Sequence, residues 1–291
     1  SYPMKITGGI FNATLGLVNL EDVQFTGGEF KNMPSASYFG SDVSLYVYTD
    51  GEKDGRFVLV ESNEEVPENA QKVSVIGKTG TISSAQTDYY SSIKDALDAG
   101  MTHIYLFVDV EEDVTVNCTK STYLYLQGNT LTGTIKKGGS TFYIRDEVGG
   151  GAIVNNSASD SAVTVTSGNL TLYGGFTIEN THASNTAPVI DFSGTKFTAN
   201  KSYDDEGELK LISKGGIVLA LADGTVAELA RSQASYTSAA KGIFALNGTA
   251  SVVVKAGTFN QNFSETYLDD GVELVKNADG TFSAMAFIAK V

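Results

Sequence analysis

The chain is poor in the residues that most often announce chemistry. It has one cysteine, Cys118, so no intrachain disulfide can staple it. It has no tryptophan, 4 prolines and 2 histidines, and its only arginines are Arg56, Arg145 and Arg231. No apolar run approaches the ~20 residues a membrane-crossing helix needs, so no membrane insertion is expected. Positive charge is in deficit: 20 basic residues face 34 acidic ones, a net charge of −14. That balance argues against nucleic acid or an anionic membrane surface as the main partner. Neither His103 nor His182 has a second ligand at metal spacing, and two histidines give no Ser-His-Asp order to argue. His103 opens a strand and His182 lies in a turn after Ile178, and both read as solvated turn residues. No signal-peptide pattern is present, and Ser1-Tyr2-Pro3 opens in mid-pattern, as a fragment of something longer would.

What is abundant points one way. With 31 glycines and 42% hydrophobic residues over 291 positions, the chain suits an all-β fold with many tight turns and a sizeable core. Its acidity fits a soluble secreted or surface-displayed protein.

The informative stretch runs from Asp88 to Glu147. Ser91 or Ser92 can cap a short helix, Ile93 to Ala99, whose Ile93, Ala96 and Leu97 share one face and which Gly100 ends. So short a helix is marginal alone and is expected to pack on the open end of a β structure. Strand patterns follow: Ile104–Val110, Val114/Val116 with Cys118 as a small core residue in the same alternation, Leu124/Leu126, Leu131/Ile135, Phe142/Ile144, Ile153, Val163/Val165, Leu170/Leu172 and Phe176/Ile178. Apolar anchors recur about every ten residues, with breaks too long for tight hairpins. The spacing predicts parallel coils of two or three strands, about twenty residues per turn. The polar run Asn200–Gly207 reads as a loop leaving these coils, and the pattern resumes from Leu209 to Val254.

The two ends resemble each other. Gly28-Glu29-Phe30 and Gly257-Thr258-Phe259 begin stretches in which Ser35/Ser264, Val43/Val272 and Leu45/Leu274 fall in register, with the tyrosines within one place. Each stretch then reaches a turn and strand, Asp54-Gly55-Arg56-Phe57-Val58 and Asp279-Gly280-Thr281-Phe282-Ser283. This internal repeat makes residues 1–62 the end of a preceding module and 63–291 one following module, with Ser62–Ala70 as the linker. A strand is expected at Lys72–Ile76. Gly77-Lys78-Thr79-Gly80 reads as a turn, because it lacks the full phosphate-loop spacing.

Ser91-Ser-Ile-Lys-Asp-Ala-Leu-Asp-Ala-Gly100, the strands that follow, and Leu124-Tyr-Leu-Gln-Gly-Asn-Thr-Leu-Thr-Gly133 together resemble the opening of pectin-lyase-like parallel β-helix modules. Such modules occur in secreted and cell-wall proteins of Gram-positive, gut Firmicutes-type bacteria. Ala256-Gly-Thr-Phe-Asn, Tyr267-Leu and Asp279-Gly-Thr-Phe are similar to their ending, so the resemblance covers roughly residues 85 to 290. It implies a right-handed parallel β-helix with an N-terminal capping helix, in a large extracellular or cell-surface protein with neighbouring tandem modules.

The same superfold hosts polysaccharide lyases and glycoside hydrolases. The resemblance to the hydrolase branch would require Gly-His-Gly and Arg-Ile-Lys in successive coils, and the sequence has neither. Arg145, between Ile144 and Asp146, suits a surface ion pair better than a proton-abstracting base. No catalytic residue is assigned and no cofactor is expected. Asp204, Asp205 and Glu206, within Tyr203–Glu208, offer oxygen ligands of the kind calcium takes, but without EF-hand spacing; a plain acidic loop is the alternative. Tyr123 and Tyr125 alternate with Leu124 and Leu126 and so point outward together, with Tyr105, Tyr143 and Tyr173 on neighbouring coils of that face. Outward tyrosines can stack on the sugars of a polysaccharide or host glycan, or on each other as sheet packing. The sequence therefore carries three readings: a non-catalytic stalk or adhesin-like surface module that binds glycans along its face, a polysaccharide-processing enzyme, and a structural spacer.

Overall fold

The computed structural model describes residues 4–13, 23–34, 38–79, 86–200 and 207–287. It is all-β, with long stacks of parallel strands compatible with a β-helix. From Val110 the chain visits three sheets in rotation. Its strand Val110–Glu111 pairs with Thr130–Thr132, Val114–Cys118 with Ile135–Gly139, and Thr122–Tyr125 with Phe142–Asp146, each in parallel and each one circuit further along. The circuits lengthen: 20 residues separate Tyr123 from its partner Tyr143, and 28 separate Tyr143 from Thr171. The expectation of twenty per turn holds for the first circuits only, because later ones carry longer corners.

Two-residue alternation decides what lies inside. Leu124, Leu126, Leu131, Ile135, Phe142, Ile144, Ile153, Val163, Leu170 and Ile178 are all buried in one continuous cluster running from Val75 to Ala284. Burying each such side chain contributes about 1.5–3 kcal/mol. Cys118 is half-buried and packs against this cluster, as its alternation indicates. Polar groups inside are matched to backbone at the corners. Asn155 donates to the Oδ1 of Asn180 one circuit on, at 2.9 Å, and to Asp160 O at 2.7 Å. Buried Asp146 accepts from the amides of Gly128, Val148, Gly149 and Gly151. Lys137 also points inward, and its ammonium donates to the carbonyls of Gly139 and Ser167 at 3.2 and 2.5 Å. Burial holds its pKa below the ordinary lysine value.

The short helix spans Ile93–Asp98 and lies against the strands Val75–Thr79, Gln86–Tyr90 and Val114–Cys118. Ser92 is its N-cap, its Oγ accepting from Asp95 N at 3.0 Å. Glu112 accepts from the next two orphan amides, Ile93 and Lys94, both at 2.8 Å. Ile93 and Ala96 are buried, Leu97 is half-buried, and Gly100 ends the turn at φ +77°.

Two expectations near the linker need correction. The single strand expected at Lys72–Ile76 is two strands, because the chain changes sheets at Val73-Ser74. Ala70–Lys72 pairs antiparallel with Tyr46–Tyr48, whereas Val75–Thr79 pairs with His103–Leu106. Gly77, Lys78 and Thr79 are therefore strand, not turn, and Gly80 lies outside the described residues. Gly77 is small because a Cβ there would fall 2.5 Å from Met101 Cγ and 2.7 Å from Tyr90 Cε2.

The likeness between the two ends is structural as well as sequential. Phe30 pairs with Phe57 as Phe259 pairs with Phe282, and Leu45 pairs with Leu59 as Leu274 pairs with Ala284, all antiparallel. Phe11 stacks on Phe30 with centroids 4.8 Å apart and planes at 12°; Tyr236 stacks on Phe259 at 4.8 Å and 11°. Gly28 and Gly257 begin these strands at φ +120° and +127°, and a Cβ at either would press on the matching ring. Phe25 bridges to Phe39 as Val254 bridges to Leu268, which puts Tyr38 and Tyr267 in register. Ser35 lies outside the described residues.

Candidate functional site

The outward positions of the sheet that holds His103–Leu106, Thr122–Tyr125 and Phe142–Asp146 build a ladder of rings. Parallel pairing puts His103, Tyr123, Tyr143 and Thr171 in one column, and Tyr105, Tyr125, Arg145 and Tyr173 in the next. Parallel strands lie about 4.8 Å apart, which is close to the spacing of stacked rings. His103 stacks on Tyr123 at 4.5 Å and 3°, and Tyr123 on Tyr143 at 4.4 Å and 6°. Tyr105 stacks on Tyr125 at 4.2 Å and 7°. Arg145 fills the rung between Tyr125 and Tyr173, its guanidinium carbon 5.6 Å from each ring centre. Lys78 covers the free face of Tyr105 at 4.8 Å. The second column thus holds a stacked tyrosine pair between two cations, with a further ring beyond the arginine, an arrangement the ring quadrupole favours.

All five tyrosines expected on this face are on it, divided between two columns. The ladder is tight enough to bury Tyr125, which is 6% exposed, while Tyr105, Tyr123, Tyr143 and Tyr173 are half-buried. Burial pushes the Tyr125 phenol up to about 12, and the neighbouring Tyr105 adds to the shift. His103 is not a solvated turn residue: it lies in the strand His103–Leu106, and its Nδ1 is 3.1 Å from Tyr125 Oη. Burial, and then Lys78 and Arg145, hold its pKa below the ordinary histidine value. His182 does sit exposed in a turn, 2.8 Å from Ser184 Oγ. Arg145 makes its ion pair with Glu147, at 3.2 Å, and not with Asp146, which faces inward. Its place in the ladder follows from spacing alone, since Tyr105, Tyr125 and Arg145 stand twenty residues apart.

This geometry limits what the rings can do. Their faces are turned to one another, so a sugar cannot lie flat on them along the run. What faces outward is a ribbon of ring edges, with Lys78 and Arg145 as its positive charges.

Two places gather acidic and basic side chains. On adjacent circuits, Glu228 lies between Lys196 and Lys255, at 2.6 and 2.8 Å. The lysines hold the Glu228 carboxyl below the usual carboxylate range, and Glu228 raises Lys255. Both shifts make the groups poorer acids and bases near neutral pH. An open groove is lined by Glu111, Glu112, Asp113, Lys136, Asn156 and Asp160. Glu112 is committed to the helix amides, and Asp113 accepts from both the amide and hydroxyl of Thr134 at 2.8 Å, which lowers its pKa.

Asp204, Asp205 and Glu206 lie outside the described residues. Among the described residues no three His, Cys, Asp or Glu side chains are grouped to hold a metal. No helix there is long and apolar enough to cross a membrane. No protein-family model, curated protein or solved structure matches the chain.

Proposed function

We propose that this chain is a non-catalytic, stalk or adhesin-like part of an extracellular or cell-surface protein. In this reading the three parallel stacks are the turns of a right-handed parallel β-helix of the pectin-lyase-like kind, and the helix Ile93–Asp98 caps its N-terminal end. Residues 1–62 end one module, residues 63–291 form the next, and both belong to a tandem series. The observation that carries the reading is the ladder. Five tyrosines, His103, Lys78 and Arg145 meet each other's faces, which stiffens one side of a long stack and leaves a straight ribbon of ring edges. An extended glycan would lie along that ribbon, held by hydrogen bonds to the phenol hydroxyls and by the two cations.

The test is to incubate the chain, with calcium, with plant, mucin and bacterial polysaccharides, and to read both retention and new reducing or unsaturated ends. Retention that weakens in a Tyr143→Ala variant supports the adhesive role. Retention by nothing reduces the role to that of a spacer. Cleavage of any glycan overturns the reading and makes Asp204, Asp205 and Arg145 the first residues to substitute.

A further inference from the structure

The two closing sheets differ in one respect: one is covered and the other is open. In the first, the strand Val43–Tyr48 is flanked on one side by Phe57–Glu61 and on the other by Ala70–Lys72. Val73 N then donates to Leu45 O at 2.8 Å. Val73, Tyr89 and Phe107, all from the segment that follows, pack on Leu45, Phe57 and Phe39. In the second sheet, Val272–Lys276 pairs with Phe282–Ala286 and has no strand on its other edge among the described residues. The apolar side chains there are correspondingly bare. Leu45 and Phe57 are buried, but Leu274 and Phe282 are only half-buried. Val60 is 5% exposed, while Met285, in its place, is 43% exposed and Phe287 is 62% exposed.

We propose that the free edge of Val272–Lys276, with the apolar face beside it, is a docking surface for the opening segment of a further copy of this module. The proposal rests on the tandem reading given above and adds its joint. The covered sheet supplies the register. The equivalent of Lys72 lies opposite Val275, that of Gln71 opposite Lys276, and that of Ala70 opposite Asn277. The amide of the Val73 equivalent donates to the Leu274 carbonyl. Counted from the match of Phe287 with Ser62, the strand that does this would begin beyond residue 291, and among the described residues none fills the place. The edge also carries a device against unselective pairing. Lys276 stands where the covered copy has Val47, and lysine on an edge strand discourages indiscriminate addition. Its stem can lie along the added strand while its ammonium reaches water. The occupant is therefore a strand with a specific partner surface, and not any β edge.

The experiment joins residues 63–291 directly after Phe287 of the full chain, with Cys118→Ala in both units. Val275→Cys is placed in the first unit and Lys72→Cys in the appended one, and disulfide formation is followed under mild oxidation. Tyr46→Cys with Lys72→Cys in the original chain is the reference, since that pair already faces across the covered joint. The expected result is a disulfide within the tandem protein at a rate near the reference. It should form about ten-fold faster than with Gln71→Cys in place of Lys72→Cys, because cross-linking demands close, aligned Cβ atoms. A reference that links while the tandem pair does not overturns the proposal, as does equal linking in the shifted register. Val275→Cys chains that link to one another would assign the edge to its own copy, which also overturns it. A second readout uses no cysteine: peroxide oxidation of Met285 should slow at least several-fold in the tandem protein, and an unchanged rate overturns the joint. Glycan cleavage would remove the non-catalytic reading and leave the joint standing. Failure of the disulfide would remove the joint and leave the display role.

Discussion

Residues 28–61 and 257–286 repeat one strand register and one ring stack, yet they live in different surroundings. In the first, the next stretch of chain seals the sheet; in the second, the same sheet meets water. The comparison separates two kinds of information in one sequence. What sets the backbone path is kept: the glycines at positive φ, the stacked rings, and the Asp-Gly turn before the last strand. What meets the neighbour is free to differ, as Val47 against Lys276 and Val60 against Met285 do.

The largest expected effect breaks the comparison at its covered end. Phe57→Ala empties a site packed on Tyr89 at 5.0 Å and should cost about 3–5 kcal/mol. Phe282→Ala, half exposed, should cost about 1–2 kcal/mol, since less area leaves water on folding. Urea denaturation of both variants reads the difference, and equal losses would mean that the covering segment adds nothing. Next come the glycines. Gly28→Ala and Gly257→Ala should each cost about 1–3 kcal/mol and should match, because both sit at positive φ against a ring. A mismatch would show that the two sheets differ in backbone as well as in cover.

Away from both ends, Tyr143→Ala removes the Tyr123 stack and should cost about 1–2 kcal/mol by the same denaturation measurement. The smallest effects are in pH. The folded-state pKa of His103 is lowered, so the unfolded chain binds more protons there, and stability is lost as pH falls below the ordinary histidine value near 6.5. His103→Phe should flatten that limb of a urea-midpoint profile. Tyr125 is raised to about 12, so the stability tied to its phenol is present below the ordinary value near 10 and is lost as pH rises toward 12. Tyrosinate absorbance should show a late phenol step toward 12 that Tyr125→Phe removes, while the fully buried Tyr236, pushed higher still, keeps its own.

Much of the fold was legible because strand alternation is a strong signal. Leu124 and Leu126 inside with Tyr123 outside followed from period two, and the steady breaks argued for parallel circuits over hairpins. The repeat was legible because glycine at positive φ and a stacked aromatic are hard to replace. Harder to read were residues whose role depends on the circuit above or below. Arg145 reads as a surface ion pair, which Glu147 supplies, but only register adds its place between two tyrosines. His103 reads as a solvated residue at the start of a strand, and only the register of the next circuits puts it at the head of a column. Lys137 gave the opposite difficulty. In Ile135-Lys136-Lys137 alternation sends one lysine inward, but only the folded corner supplies the carbonyls that receive its ammonium. Gly77 looked like a turn because glycine usually makes one, whereas here it makes room for Met101 and Tyr90.

The ladder also makes the molecule its own optical gauge. With no tryptophan to drain or mask their signal, the tyrosines dominate the near-ultraviolet spectrum, and those held face to face at 4.2 to 4.4 Å are close enough to share excitation. Their coupling exists only while successive circuits stay stacked in register. The near-ultraviolet circular dichroism of the unlabelled chain therefore reports the slipping or peeling of single turns, including any that leaves the overall strand content unchanged.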